Sequence, residues 1–210
     1  MKILVNSHPR KIRCYESPYL DLLVTPHQPF GIQHALDSEY RFAVDNGAFG
    51  AKGFSWSLFW RLLERCQGSD PYFVAVPDVV ADRALTLQQF AEYGPKIRQM
   101  GFKIALVTQD QMTVEDIELE AFDALFVGGS DRFKFSRQSY QICQTVKQAG
   151  KLLHIGRVNS YQKLVLAQEW GADTVDGLNW SRFTEVKLAK GVRWLEYLHT
   201  QPRLFELQAV

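Results

Sequence analysis

The feature of this sequence that most constrains its fold is a repeated alternation of short apolar runs with longer segments of helical periodicity. Each run is rich in apolar and β-branched residues and has the length of one buried strand. The eight predicted strands are Ile3–Asn6, Leu20–Thr25, Phe42–Asp45, Tyr72–Asp78, Lys103–Gln109, Ala124–Gly129, Leu152–Arg157 and Thr174–Gly177. From the third run onward helices intervene, and this alternation predicts parallel strands joined by crossover helices.

Amphipathic spacing and helix punctuation support the intervening helices. Apolar residues recur at helical intervals, and the predicted helices are Ser57–Cys66, Arg83–Met100, Arg137–Ala149, Ser160–Trp170 and a final one from Thr184 onward. Asp82 and Ser160 stand where N-caps are expected, and Thr113-x-x-Asp116 resembles a capping box. Three of the helices are followed by glycines suited to a left-handed C-cap, namely Gly101, Gly150 and Gly171.

Eight strands alternating with helices predict a compact α/β fold, a (β/α)₈ TIM-type barrel formed as a single domain by residues 1–210. The first strands lack clear intervening helices, so the N-terminal part is predicted to be irregular. An open, doubly wound sheet is the alternative topology.

Composition narrows the class of protein. Apolar residues make up 46% of the 210 residues and charged residues 22%, which is typical of a globular chain with a sizeable core. No apolar run reaches the roughly 18 residues of a membrane span, and the N-terminus turns polar too early for a signal peptide. We therefore expect a cytoplasmic protein without membrane contact. A net charge of +1 restricts any nucleic-acid contact to a local patch.

Cysteines and histidines give no metal-binding pattern. The three cysteines are far apart and form no Cys-x-x-Cys pair, and the five histidines show no metal-ligand spacing. The sequence therefore predicts neither a metal site nor a cofactor. His154, inside an apolar strand, is interpreted as a core histidine rather than a base.

Polar or glycine residues end six of the predicted strands. In a parallel barrel these ends meet at one rim, where barrel enzymes place their active sites. The residues concerned are Asp45, Asn46, Asp78, Gln109, Gly128, Gly129, Arg157 and Asp176. The alternative is that the aspartates are only helix N-caps or turn formers.

The chemistry available to such a rim favours glycosyl transfer. Two carboxyl groups that flank an anomeric carbon can act as nucleophile and proton carrier. An amide such as Gln109 and the Gly128-Gly129 backbone can bind the edge of a heterocycle. Arg132, Lys134 and Arg137, with Phe133 and Phe135 between them, form a candidate phosphate and stacking patch, or alternatively a solvated loop.

Taken in order, these motifs resemble those of the tRNA-guanine transglycosylase superfamily, most closely the short DpdA-like branch of DNA 7-deazaguanine transglycosylases found in phages and DNA-modification clusters. The matching segments are Asp45-Asn46-Gly47-Ala48-Phe49, Val76-Pro77-Asp78-Val79-Val80, Thr108-Gln109-Asp110, Val127-Gly128-Gly129-Ser130, His154-Ile155-Gly156-Arg157-Val158-Asn159 and Val175-Asp176-Gly177-Leu178-Asn179-Trp180. The resemblance implies a (β/α)₈ barrel that exchanges guanine in a polynucleotide for a 7-deazaguanine base without ATP.

The resemblance also implies individual roles. Asp176 matches the family's nucleophile and Asp45 its general acid/base. Base contacts carry over to Asp78, Gln109, Gly128 and Gly129. Beyond what the resemblance implies, we expect Arg157, Asn179 and Trp180 to bind substrate, and Arg132, Lys134, Arg157 and Arg182 to hold phosphates. Phe49, Phe133 and Trp180 are candidates to stack on a neighbouring base.

Departures from the family pattern bear on the substrate. Asn46 and Ala48 replace the usual serine and glycine of the first motif, and Asp110 replaces a glycine. The zinc-binding cysteine cluster of the tRNA enzymes is missing. This favours DNA as partner over tRNA, with a base such as the 7-cyano form of 7-deazaguanine, and a homodimer is compatible with the resemblance. An N-glycosidase or nucleoside hydrolase using the same carboxyl pair, a tRNA transglycosylase, and a non-catalytic reader of modified DNA stay open as alternatives.

Overall fold

The computed structural model describes residues 1–6, 17–28, 31–50, 52–182 and 184–200. Within these residues eight parallel strands pair in chain order and close into a barrel, the last strand pairing with the first. In that closing pair, Leu4 lies opposite Asp176. The predicted (β/α)₈ architecture is confirmed, and the open-sheet alternative is excluded by the closure.

The strands lie where the sequence predicts them but are shorter. They are β1 (Lys2–Val5), β2 (Leu20–Val24), β3 (Phe42–Val44), β4 (Val74–Ala75), β5 (Ile104–Val107), β6 (Ala124–Val127), β7 (Leu152–Ile155) and β8 (Thr174–Asp176). The largest difference is in β4, which was predicted over Tyr72–Asp78. Val76 still donates to the carbonyl of Ala105 (3.1 Å), but Pro77 has no N–H and ends the ladder.

Helices connect and flank the strands. They are α1 (Gly31–Leu36), α2 (Trp56–Cys66), α3 (Arg83–Gln99), α4 (Asp131–Lys134), α5 (Arg137–Gln148), α6 (Tyr161–Glu169), α7 (Leu178–Arg182) and α8 (Ala189–Thr200). Two 3₁₀ turns, Val114–Asp116 and Leu119–Ala121, lie between β5 and β6, and a π-helical turn, Thr184–Leu188, precedes α8. The final helix therefore begins later than the predicted start at Thr184.

The predicted helix signals have the expected physical basis. Asp82 caps α3 by accepting from the N–H of Leu85, and Ser160 caps α6 by accepting from the N–H of Lys163. The sequence prediction missed α1, so the segment between β2 and β3 is not wholly irregular. That helix has only six residues, less than two turns, which is too short for a helical period to be recognised.

The barrel interior is filled by small and large apolar side chains in turn. The inward-facing cluster consists of Leu4, Leu23, Ala43, Phe73, Ala105 and Ala124, with Phe126 packed against it. The outward faces of the strands pack against the helices in a second, larger core. The interior is therefore a packed plug, and a ligand can enter only at an end of the barrel.

The amino-terminal end of the barrel is closed by a buried carboxylate. Asp21, only 3% exposed, accepts from Lys2 Nζ (2.6 Å), the Tyr72 hydroxyl (2.7 Å) and the backbone N–H of Arg41 (3.0 Å). Burial and the Asp21 carboxylate raise the pKa of Tyr72, so the phenol stays a donor. This network leaves the opposite, carboxyl-terminal end for function.

None of the helices in the described ranges is both long and apolar enough to cross a lipid bilayer.

We expect Asp21→Ala to lower the free energy of unfolding by about 2 kcal/mol, because it leaves a phenol, a backbone N–H and the partly exposed Lys2 ammonium without their shared acceptor. Urea denaturation measures the change. Asp70→Ala is the matched control, since its exposed ion pair with Lys103 contributes at most about 1 kcal/mol. Equal loss in both variants would contradict the assigned importance of the Asp21 network.

Candidate active site

A cavity of about 490 Å³ opens at the carboxyl-terminal end of the barrel. This volume lies in the range of small-molecule pockets. The structure brings seven of the predicted site residues to its wall, namely Asp45, Asp78, Gln109, Gly128, Gly129, Arg157 and Asp176. Three carboxyl groups that are far apart in the chain therefore face one enclosed space.

Asp45, directly after β3, holds a proton near neutral pH. Burial is the main reason that its pKa rises from the ordinary 3.8 to about 7. The nearby carboxylates of Asp176 and Asp78 raise this pKa further, against the opposing effect of the Gly47 N–H, which donates to Asp45 Oδ1 at 3.2 Å. Asp45 is therefore suited to give and take a proton at the pH of a cell.

Asp78, after β4, is held by two side-chain amides. Asn46 Nδ2 donates to Oδ1 (2.7 Å) and Gln109 Nε2 donates to Oδ2 (2.6 Å). Burial raises the pKa of Asp78, and these two donors counteract the rise. The amides are fixed in turn, because Asn46 also donates to the carbonyl of Val76 (3.0 Å) and Gln109 accepts from the N–H of Ala81 (2.9 Å). The orientation of the Asp78 carboxyl group is thus defined from both sides.

Asp176, the last residue of β8, is bound through both of its oxygens. Nε2 of His154 lies 2.9 Å from Oδ2, and the backbone N–H of Arg157 donates to Oδ1 (3.2 Å). Its side chain is 16% exposed, so part of the carboxylate faces the cavity. Each carboxylate oxygen can accept more than one hydrogen bond, which leaves acceptor capacity for a ligand.

Close backbone approach shapes the wall between β6 and β8. A Cβ atom on Gly128 would lie 2.7 Å from the carbonyl oxygen of Thr108, and one on Gly156 would lie 2.8 Å from Cε1 of Phe126. The N–H of Gly128 is already used, since it donates to the Thr108 hydroxyl (3.1 Å). A heterocycle bound by the Gly128-Gly129 segment would therefore contact other backbone atoms.

Arg157 forms a wall at the mouth of the cavity. It has φ of 60°, a left-handed conformation that is unfavourable for a side-chain-bearing residue. Its guanidinium donates to the carbonyl of Gly129 and lies 4.0 Å from the centre of the Phe49 ring. Phe49 is 61% exposed.

A second cavity of about 460 Å³ adjoins Arg157 and Phe49 and is also lined by Asp110, Ser130, Asp131 and Asn159.

Three residues that are predicted to contact the substrate or DNA have buried side chains in this structure. Lys134 has no exposed surface and its Nζ donates to the carbonyl of Gly156 (2.8 Å), so it does not meet a phosphate at the surface. Trp180 is 1% exposed and its Nε1 donates to the carbonyl of Val158 (2.8 Å), so it neither lines the cavity nor stacks on a base. Phe133, at 6% exposure, is likewise excluded as a stacking surface.

The remaining predicted residues lie around the mouth or outside the described part. Asn179 is half-buried and absent from the cavity wall; it donates through Nδ2 to the carbonyl of Asn159 (3.1 Å) and so holds that loop. Arg132 is exposed on α4, next to the second cavity. The backbone of Arg182 belongs to α7, but its side chain lies outside the described residues.

Sequence reasoning missed one side of the cavity. The residues concerned are Asn6, Thr25, His27, Gln28, Lys52 and Ser181. Asn6 and Thr25 are polar residues at the ends of the first two predicted strands. The pattern that indicates the other site residues therefore applies to these two as well. Lys52 is exposed and places a cation at the mouth.

Over the described residues, no group of three or more His, Cys, Asp or Glu side chains is arranged to hold a metal ion.

No protein-family model matches the chain, and no curated protein is significantly similar to it. The site's geometry, together with the motif resemblance, is therefore the basis for assigning a function.

We expect Asp45→Asn to change how stability depends on pH. Between pH 4 and 7 the folded protein holds the Asp45 proton and the unfolded chain does not, so this group makes wild-type stability fall as pH rises, by about 1.4 kcal/mol per unit at most. Denaturation curves at several pH values measure the free energy of unfolding of wild type minus that of the variant, which should fall through this window and level off above pH 7.

Asp110→Asn is the control for that experiment. The pKa of Asp110 is lowered, chiefly because Ser130 donates to its carboxylate, so this group stays ionised in both states from pH 5 to 8. Its difference curve should be flat there. A flat curve for Asp45→Asn as well would show that Asp45 does not retain its proton.

Proposed function

We propose that this chain is a base-exchange enzyme that replaces guanine in DNA with a 7-deazaguanine derivative through a covalent glycosyl–Asp176 intermediate. The observation that carries the proposal is the pairing of two unlike carboxyl groups in one cavity. Asp45 keeps a proton near pH 7, whereas Asp176 has one oxygen 2.9 Å from Nε2 of His154 and the other accepting from the backbone N–H of Arg157. Two acids with different environments support a proton carrier and a nucleophile.

The proposed first step transfers the sugar to the enzyme. A carboxylate oxygen of Asp176 attacks C1′ of the target nucleotide, and the bond from C1′ to N9 of guanine breaks. The electron pair of that bond leaves with the guanine, and the Asp45 carboxyl supplies the proton that neutralises the departing base. The products are neutral guanine, ionised Asp45 and a glycosyl ester on Asp176.

The second step reverses these roles with a new base. The Asp45 carboxylate removes the N9 proton of the incoming 7-deazaguanine, and N9 attacks C1′ as the ester bond to Asp176 breaks. Asp176 regains its negative charge and Asp45 its proton, so the enzyme returns to its starting state. Two displacements at C1′ retain the sugar configuration, and the DNA strand stays intact.

Asp78 supports recognition of the base. The amides of Asn46 and Gln109 fix its carboxyl group, and remaining lone pairs can accept from the ring N–H and the exocyclic amine of a guanine-type heterocycle. Guanine and 7-deazaguanine share this edge, so one arrangement suits both the leaving and the incoming base.

The enclosed position of the carboxyl groups sets a condition on the DNA. C1′ must reach the floor of a cavity at the barrel end, which requires the target nucleotide to leave the base stack. In this proposal Lys52, exposed at the mouth, and Arg132, exposed on α4, supply contacts to the flanking phosphates. With a net charge of +1, binding rests on such local contacts.

We expect Asp176→Asn to lower the rate at which a labelled 7-deazaguanine base enters a guanine-containing DNA strand. The decrease should be on the order of 10³-fold or more, because an amide is a poor nucleophile. Asp45→Asn should slow exchange by about 10²- to 10⁴-fold, the usual contribution of a general acid/base. Asp70→Asn, at a remote and exposed position, is the matched control and should exchange at the wild-type rate.

Product masses separate exchange from its alternatives. An intact strand whose mass changes by the difference between the incoming base and guanine supports the proposal, whereas an abasic strand and free guanine would show an N-glycosidase. Exchange in tRNA but not in DNA would identify the tRNA activity. Base binding without any product would show a reader, and wild-type exchange by Asp176→Asn would refute the assigned nucleophile.

A further inference from the structure

The inner face of β7 carries a histidine to which sequence reasoning gave no catalytic role. His154 has no exposed surface, and its ring lies between Phe126 and Phe73, with ring centres 4.4 and 5.4 Å away. The prediction of a core position is correct in this respect. A histidine with only a core role, however, needs no partner in the cavity, and this one has such a partner.

Both ring nitrogens of His154 are engaged by residues of the neighbouring strand. Nδ1 lies 2.9 Å from Oγ1 of Thr174, and Nε2 lies 2.9 Å from Oδ2 of Asp176. An ionised carboxylate only accepts hydrogen bonds, so Nε2 carries the proton of that bond. The Thr174 hydroxyl can donate to or accept from Nδ1, and it anchors the ring at its other nitrogen in either case.

The other oxygen of Asp176 is held by a peptide group that is itself anchored. The N–H of Arg157 donates to Oδ1 (3.2 Å), and the carbonyl of the same peptide group, that of Gly156, accepts from Nζ of Lys134 (2.8 Å). Lys134 is fully buried and is further paired with Asp131 (3.1 Å). An ammonium on the carbonyl polarises the peptide group and strengthens its N–H as a donor.

We propose that His154 is a positioning residue for Asp176, and that it works together with the peptide group anchored by Lys134 to hold the carboxylate in one plane facing the cavity. The catalytic consequence rests on the proposed function. Two donors, one on each oxygen, remove the rotation of the carboxyl group about its last bond. A nucleophile held in this way attacks C1′ without a further loss of orientational entropy, which lowers the barrier.

The test compares two replacements of His154. In His154→Gln the side-chain nitrogen lies the same number of bonds from Cβ as Nε2, so an N–H can still reach Asp176. In His154→Leu the volume and apolar packing are largely kept, but no donor remains. We expect His154→Leu to lower kcat for base exchange by about 10²-fold, with KM changed less than about 3-fold. His154→Gln should recover to within about tenfold of wild type.

Rescue by glutamine separates positioning from mere packing. If His154 only fills the core, His154→Leu should exchange as fast as wild type, and glutamine should be the worse replacement because its polar group is buried. Thermal melting of each variant identifies any that fails to fold.

Lys134→Met tests the peptide group between Gly156 and Arg157, which Lys134 anchors. This variant should also have a lower kcat, with a smaller change in KM.

Nitrogen-15 NMR of the histidine side chains gives a readout that needs no turnover. We expect His154 to carry a proton on Nε2, with shifts that change in Asp176→Ala and stay unchanged in Asp70→Asn. An unprotonated Nε2, or shifts insensitive to Asp176→Ala, would overturn the proposal whatever the activity. The expected NMR result together with no base exchange would refute the proposed function and leave the contact between His154 and Asp176 standing.

Discussion

The constraint on which the site depends is the presence of three carboxyl groups in one partly enclosed cavity. Like charges in a space of low dielectric constant repel, and burial itself disfavours ionisation. The structure meets this constraint differently at each group. Asp45 keeps its proton to about pH 7, Asp78 is held by two amides, and Asp176 is held by His154 and a backbone N–H. The raised proton affinity of Asp45, which catalysis would use, follows from its buried surroundings.

The closed barrel is what brings these groups together. Asp45, Asp78 and Asp176 follow or end β3, β4 and β8, and the pairing of β8 with β1 closes the ring on which all three stand. Parallel pairing puts every strand's carboxyl end on the same side, while the Asp21 network closes the other end. Fold and site are therefore two consequences of one topology, and the role of each aspartate depends on its neighbours at the rim.

The strands and the meeting of their carboxyl ends could be predicted from the sequence. Both follow from local patterns, namely the period of the apolar residues and the capping and turn residues between elements. Sequence reasoning did not indicate that the side chains of Lys134 and Trp180 turn inward, because that orientation is set by packing against distant parts of the chain. It also missed the contact of His154 with Asp176. That contact follows from register: His154 lies opposite Thr174 on adjacent strands, and Asp176 is two residues further on the same face. Pair register is a property of the sheet and is not readable from either strand alone.

The central claim is that Asp176 forms a bond to the sugar of a target nucleotide. Peptide mass mapping of the enzyme, quenched with acid during turnover on a guanine-containing DNA strand, tests this claim most directly. The account predicts a deoxyribosyl adduct, the DNA strand without its target guanine, on the peptide that contains Asp176, and its release when a 7-deazaguanine base is added before the quench. Exchange that proceeds with the adduct on Asp45 instead, or release of guanine with water incorporated at C1′ and no adduct, would contradict it.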